Sequence, residues 1–366
     1  MKFLSILVKP ASGLCNISCD YCFYRELSDG LCSEKHMRPE VAERLIEQVL
    51  AAGAEEILFA FQGGEPLLAG HAFFERFIAV VEARRGRTRV SYSVQTNGTL
   101  LDDEYIRLFK KYDFLVGISL DGPKYIHDAH RLTPDGRGTF QPVLENAKRL
   151  QAAGVQVNIL SVVTNDAADR AEKLYRFFKK SGFHYLQFLP CMDPVHAEQG
   201  GGAGSLTNAA YYKFLSELFE LWYRDLCAGE YVSIRHFDNW IRLLQHRPVD
   251  TCSLSGRCGS YFVIEANGDV YPCDFYVGEG YLLGNICTDT LSVLLRRLAQ
   301  SGFLTEAAAR RSGQCRECGN EDLCHGGCKR DWVMGEDGGR TRYCGALDRF
   351  FTENRGRMLQ VAEALA

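Results

Sequence analysis

Three cysteines fall within eight residues of "KPASGLCNISCDYCFY", at Cys15, Cys19 and Cys22, with Tyr21 and Phe23 flanking the third. A disulfide framework uses thiols in pairs, and a closed zinc site takes four ligands. Three thiolates hold a metal centre and leave one position open. A 4Fe–4S cluster bound by only three offers its remaining iron to a ligand that is not protein. A second group lies downstream: Cys252 and Cys258 in "CSLSGRC", Cys273 in "YPCDFY", Cys315, Cys318, Cys324 and Cys328 in "CRECGNEDLCHGGCKRD", and Cys344 in "RYCG". These eight thiols are enough to close two four-cysteine centres, and their CxxC spacing alone leaves zinc and iron–sulfur both open. His325, inside "CHGGC", is expected near such a centre without ligating it. Cys32, Cys191, Cys227 and Cys287 are scattered singly, as buried small hydrophobes are.

The chain carrying these groups has 366 residues, 46% hydrophobic and 24% charged, the balance of a soluble enzyme with one large domain and a smaller one. A net charge of -4 gives no electrostatic case for nucleic acid or an anionic membrane as partner. "MKFLSILVKP" begins like a signal peptide, but Lys9-Pro10 ends its apolar run after six residues. No stretch approaches the ~20 apolar residues of a transmembrane helix. The expected location is the cytoplasm, where fifteen cysteines read as metal ligands before they read as disulfides.

Short apolar runs alternate with amphipathic ones over the first part of the chain, the pattern of βα units. Strands are expected at 4–8, 57–61, 90–94, 114–120, 157–163 and 185–189. Helices are expected from Pro39 and over 71–84, 102–112, 140–153, 167–181 and 207–228. Near-continuous apolar strands imply a parallel sheet covered by helices. The segments after the strands are chemically rich: "QGGEP" (62–66), "QTNG" (95–98), "DGP" (121–123), "TND" (164–166) and "PCMDP" (190–194). In barrels of parallel strands the active site lies at those carboxyl ends. The fold class expected is α/β: a partial (βα)6 TIM-like barrel over 1–235, open enough for a large substrate, and a cysteine-rich domain over 236–366. Within the latter, "SYFVIEANGDVYPC" reads as a hairpin around Asn267-Gly268 that delivers Cys273 and Asp274. The Gly-rich stretch at 200–204 is expected to be a loop.

CxxxCxxC after the first strand of such a barrel is similar to the motif of the radical S-adenosylmethionine enzymes, and "GGEP" (63–66) resembles their second-strand motif. The CxxCxxxxxCxxxC run resembles the SPASM-type extension of peptide-modifying members. Over nearly the whole chain, "KPASGLCNISCDYCFY", "FAFQGGEPLLAG", "SVQTNGTL", "FLVGISLDGP" and "VYPCDFY" resemble, in order, segments of the anaerobic sulfatase-maturating enzymes. That resemblance implies a radical oxidoreductase that oxidises a Cys or Ser of an unfolded sulfatase, in a Cys/Ser-x-Pro-x-Arg motif, to Cα-formylglycine. It implies S-adenosylmethionine chelated by the open iron of the Cys15, Cys19, Cys22 cluster, whose 5′-deoxyadenosyl radical removes a Cβ hydrogen. It implies two auxiliary 4Fe–4S clusters, one on Cys252, Cys258, Cys273 and Cys328 and the other on Cys315, Cys318, Cys324 and Cys344. Tyr21, Gly64, Ser119, Arg131 and Met192 belong near S-adenosylmethionine by the same likeness, Met192 standing where a Leu is expected. Tyr24, Gln62 and Asp274 belong at the substrate, with Asp274 taking the thiol or hydroxyl proton while an electron leaves towards an auxiliary cluster. An external low-potential donor is implied as partner. Two other readings accommodate the motifs: a peptide-modifying radical enzyme that forms a thioether or carbon–carbon crosslink, and a non-catalytic iron–sulfur electron carrier. The carrier reading leaves the strand-end residues without a purpose.

Overall fold

The principal strands of the computed structural model are β1 (Phe3–Val8), β2 (Glu56–Phe61), β3 (Arg89–Thr96), β4 (Leu115–Ser119), β5 (Gln156–Val163), β6 (Tyr185–Pro190), β7 (Tyr261–Ile264), β8 (Asp269–Tyr271) and β9 (Gly284–Asn285). The structure describes residues 2–24, 34–193, 202, 204–259 and 261–365. Cys32 and most of the Gly-rich stretch at 200–204 lie outside the described residues. The chain forms two compact units, each discontinuous in sequence. One comprises Met1–Leu120, His127–Asn158 and Ser260–Gly302; the other comprises Asp121–Ile126, Ile159–Gly259 and Phe303–Ala366. A division at 235/236 is expected from the sequence; in the structure the 261–271 hairpin groups with the N-terminal strands.

In the first unit, β1, β2, β3 and β4 pair in parallel; β3 alternates, with Tyr92, Val94 and Thr96 buried and Arg89 and Ser91 exposed. Phe59, Phe61, Phe77, Tyr92 and Phe114 interlock with centroids 5.1 to 6.4 Å apart. Helices Pro39–Ala51, His71–Arg84, Asp103–Lys111 and Phe140–Ala152 follow the expected periodicities closely. The hairpin forms as expected, β7 antiparallel to β8, with Gly268 supplying the φ of 89° that its turn requires. Not anticipated is that β7 continues the sheet, lying parallel to β1 on the side away from β2.

Register matters more than strand number here. Val8 is opposite Phe61 and Ile264, Phe61 opposite Val94, and Val94 opposite Val116. The next residue on each strand therefore falls in one row: Glu265, Lys9, Gln62, Gln95 and Gly117. Lys9 N–H donates to the Ile264 carbonyl (2.9 Å) and Gln62 N–H to that of Val8 (3.0 Å), which carries the ladder one step beyond the strands.

In the second unit, β5 from Ile159 onward pairs in parallel with β6, and β6 with Ser233–Ile234. The single helix expected at 167–181 is two, Asn165–Ala168 and Ala171–Lys180. Thr164 caps the first turn by accepting from Ala167 N–H, and the chain leaves helical geometry at Arg170 (φ -129°) before restarting. Helices Asn208–Cys227, Arg235–Leu244 and the 21-residue Cys344–Ala364 pack through Phe219, Trp222, Phe237, Trp240 and Phe350. No described helix is long and apolar enough to cross a membrane.

Candidate active site

The loop after β1 holds the three N-terminal cysteines. Cys15 is held by Asn97, which follows β3 and whose Nδ2 donates to Sγ at 3.7 Å. Burial, and then the negative charges of Glu65 and Cys22, push the Cys15 thiol up. Cys19 is buried and pairs across a two-residue ladder with Arg131, whose Nη1 donates to its Sγ at 3.9 Å. The Arg131 guanidinium lies 5.4 Å from the centroid of the half-buried Tyr21 ring.

"GGEP" is a backbone contact as well as a turn. Gly64 N–H donates to Ser12 O (2.8 Å) and Glu65 N–H to Leu14 O (2.7 Å). A Cβ on Gly64 would stand 2.1 Å from Leu14 O, so only glycine lets the second-strand turn approach the cysteine loop. Glu65 is fully buried, accepting from Thr96 Oγ1 (2.7 Å), Asn97 N (2.7 Å) and Leu67 N (3.0 Å). Burial pushes its carboxyl up to about 7 despite those bonds. Ser119 ends β4 and its Oγ accepts from Gln95 Nε2 at 3.1 Å. Met192 is half-buried just after β6, in the second unit.

Beside the cysteine loop lies a charged network. Asp274 is 7% exposed; its Oδ2 accepts from Gln62 Nε2 (3.1 Å) and its Oδ1 pairs with Lys9 Nζ (2.5 Å). Tyr24 is buried, its hydroxyl donating to Glu265 Oε1 (2.5 Å) and its ring covered by Lys9 Nζ at 3.4 Å from the centroid. Cys273 accepts from the Tyr261 hydroxyl at 3.3 Å. Lys9 and Glu265 were not singled out by sequence. The available signal was a lysine directly after an apolar strand, and nothing in a single sequence pairs it with residue 265 or 274.

In the second unit, Cys315, Cys318, Cys324 and Cys344 line one cavity of about 180 Å³, together with Arg340 and Asp348. Its volume suits a multi-atom group rather than a single ion, and four thiols suit an iron–sulfur cluster. Burial pushes the Cys324 thiol up to about 12, and the charges of Cys344, Cys315 and Cys318 add to it, a repulsion that a cationic centre would relieve. His325 does not line that cavity; its Nδ1 donates to the Glu321 carbonyl at 3.2 Å. Cys258 lies near Cys252, whose charge pushes its thiol up after burial, while Lys329 acts against both. No disulfide joins any two of the described cysteines.

Among known proteins, residues 10–178 match the radical SAM superfamily and residues 252–319 an iron-sulfur cluster-binding domain, SPASM. The chain is 38% identical over 371 residues to a cysteine-type anaerobic sulfatase-maturating enzyme of Clostridium novyi (strain NT), covering 100% of this chain and 99% of that one. It is 40% identical over 367 residues to the cysteine-type enzyme of Clostridium perfringens (strain 13 / Type A), covering 99% of each. To the serine-type enzyme of Bacteroides thetaiotaomicron it is 32% identical over 349 residues, 90% of this chain and 83% of that one. The solved structure of native anSMEcpe with bound AdoMet and Cp18Cys peptide matches with a TM-score of 0.93 at 38% identity, covering 100% of both chains.

Proposed function

We propose that this chain, which belongs to the anaerobic sulfatase-maturating enzymes of the radical SAM superfamily, acts on a cysteine of an unfolded sulfatase segment in the cytoplasm and converts it to Cα-formylglycine. The higher identity to the cysteine-type enzymes supports cysteine over serine. The conversion removes one hydrogen from Cβ and one from the thiol, and water then replaces sulfur with oxygen, releasing hydrogen sulfide. When bound, S-adenosylmethionine on its cluster supplies the hydrogen-abstracting radical, and auxiliary clusters supply an exit for the second electron.

The observation that carries this reading is the setting of Asp274. A carboxylate has about four lone-pair sites. Gln62 takes one on Oδ2, and Lys9 pairs with Oδ1 by charge, which orients the group and leaves capacity for a thiol proton. Asp274 accepts that proton, Gln62 fixes the plane of the carboxylate, and Tyr24 closes the site beside them. Gly64 brings the second-strand turn against the cysteine loop, so that Tyr21, Ser119 and Arg131, with Met192, bind S-adenosylmethionine. Cys15, Cys19 and Cys22 hold the cluster that binds it. Three 4Fe–4S clusters in all are supported by the cysteine inventory and by the four-thiol cavity. The catalytic barrel is assigned to 1–235, the auxiliary clusters to 236–366, and their reductant is an external low-potential donor.

A short unfolded peptide with a Cys-x-Pro-x-Arg motif tests the function directly. Under anaerobic reducing conditions it should lose about 18 Da and a serine counterpart about 2 Da, as the exchanged atoms require, with one 5′-deoxyadenosine per turnover. S-adenosylmethionine cleavage with neither peptide changed would defeat the assignment.

A further inference from the structure

Three charged side chains meet at the end of β1 with almost no access to water. Side-chain exposure is 0% for Lys9, 3% for Glu265 and 10% for Asp274. Lys9 Nζ stands 2.5 Å from Asp274 Oδ1 and 3.6 Å from Glu265 Oε1. A buried ion cluster is a poor way to stabilise a fold, since well-packed apolar residues of similar volume serve as well or better. Retaining one is explained by orientation. Glu265 is itself fixed on every side: Oε2 accepts from Ser12 Oγ (2.6 Å), Oε1 from the Tyr24 hydroxyl (2.5 Å), and its backbone closes the hairpin turn through Asp269 (2.9 Å) and Gly268 (2.9 Å). The parallel register of β1 with β7 sets Lys9 beside it, because Val8 is opposite Ile264.

We infer that Lys9 and Glu265 are positioning residues for the oxidation, forming one buried bridge that fixes Asp274 and Tyr24 against each other. Glu265 anchors Tyr24 through its hydroxyl, and Lys9 spans from Glu265 across the Tyr24 ring to Asp274. Neither acts on substrate; both act through the two residues that do. This rests on the substrate-site roles of Asp274 and Tyr24 proposed above.

The test compares Lys9→Met, Glu265→Gln, Asp274→Asn and the Lys9→Met/Asp274→Asn double variant in the cluster-loaded full chain, with a Cys-x-Pro-x-Arg peptide. Formylglycine, 5′-deoxyadenosine, iron content and KM for S-adenosylmethionine are measured. Lys9→Met should lower formylglycine formation by about 10–100-fold, the scale of misplacing a reacting group by about 1 Å. S-adenosylmethionine cleavage and its KM should persist, so 5′-deoxyadenosine per product rises well above one. In the Asp274→Asn background Lys9→Met should cost much less than in wild type, the non-additivity of residues acting as a unit. Glu265→Gln, nearly isosteric, should uncouple in the same sense and decides the matter if Lys9→Met loses its iron. Full product from Asp274→Asn would overturn the base role itself. Loss in Asp274→Asn with normal coupling in Glu265→Gln and in an iron-replete Lys9→Met would overturn only the positioning role. So would a Lys9→Met loss undiminished in the double variant.

Discussion

Gly64→Ala is a one-methyl perturbation whose effect can be worked from distances. The added Cβ would lie 2.1 Å from Leu14 O, and 2.6 Å from both Gly13 O and Leu14 C. All three are backbone atoms, so no side-chain rotation relieves the clash. Contacts under 3.0 Å are essentially never adopted, so Leu14 O must retreat by at least 3.0 − 2.1 = 0.9 Å. Leu14 directly precedes Cys15, and the Glu65 N–H to Leu14 O bond (2.7 Å) opposes the retreat. Overpacking of this kind costs about 1–3 kcal/mol. At about 2–4 °C per kcal/mol for domains of this size, Tm should fall by about 2–12 °C. Displacing the cysteine loop by nearly 1 Å should also weaken S-adenosylmethionine binding, by up to about 100-fold on the scale of misplaced positioning groups. Anaerobic thermal denaturation and equilibrium dialysis measure the two effects. Gly356→Ala is the contrast: it is exposed in the C-terminal helix with open space at its Cβ, and should gain about 0.5–1 kcal/mol. A Gly64→Ala protein with wild-type Tm and wild-type S-adenosylmethionine affinity would refute the close approach and the reasoning built on it.

Anaerobic reconstitution should yield ~12 iron per chain, and replacing Cys15, Cys19 and Cys22 with Ala about 8, with 4Fe–4S spectra in both; a zinc-filled C-terminal part with about four iron in all would sink the auxiliary assignment. Asp274→Asn should keep S-adenosylmethionine cleavage and lose formylglycine formation by ~10²–10⁴-fold, read by mass spectrometry of the peptide. Glu65 gives a pH prediction. Burial raises its folded value to about 7 from 4.5, so the protonated form is the one the fold favours. That stability is complete below about pH 4.5 and is lost as pH rises through about 7. Thermal denaturation between about pH 5 and 8 should show the decline in wild type and not in Glu65→Gln, which has no proton to release.

The barrel part was legible because its strands are apolar runs of strand length and its helices keep one apolar face. Pro39–Ala51 and His71–Arg84 begin at the residues periodicity indicates. The break at Asp169–Arg170 was not legible, since apolar spacing continues across it and only the Thr164 cap marks a first short turn. The Cys344–Ala364 helix was missed because the cysteine-rich context masked its buried positions, Phe350, Phe351, Met358 and Val361 among them. The glycines of "GGEP" were legible as a turn, and the structure adds the close approach of Gly64 to the Leu14 carbonyl. Arg131 was expected near the cofactor, but that it is buried against Cys19 depends on a two-residue ladder that no pattern announces. Lys9 reads in sequence as the charge that ends an apolar run. Its role comes from register with a strand more than 250 residues away.

That separation has a consequence in the order of synthesis. Translation proceeds at about 5–20 residues per second, so the 253 residues from Lys9 through Tyr261 take roughly 13–50 s to make. Once Glu56–Phe61 has been made, and until that interval ends, β1 has a neighbour available on one side only, and its other edge presents unpaired N–H and C=O groups. Lys9 likewise waits for both its carboxylates. A ribosome-bound chain can therefore gather the thiols of Cys15, Cys19 and Cys22 long before Asp274 exists to stand beside them, so any cluster loaded that early sits on a loop whose substrate side is still missing.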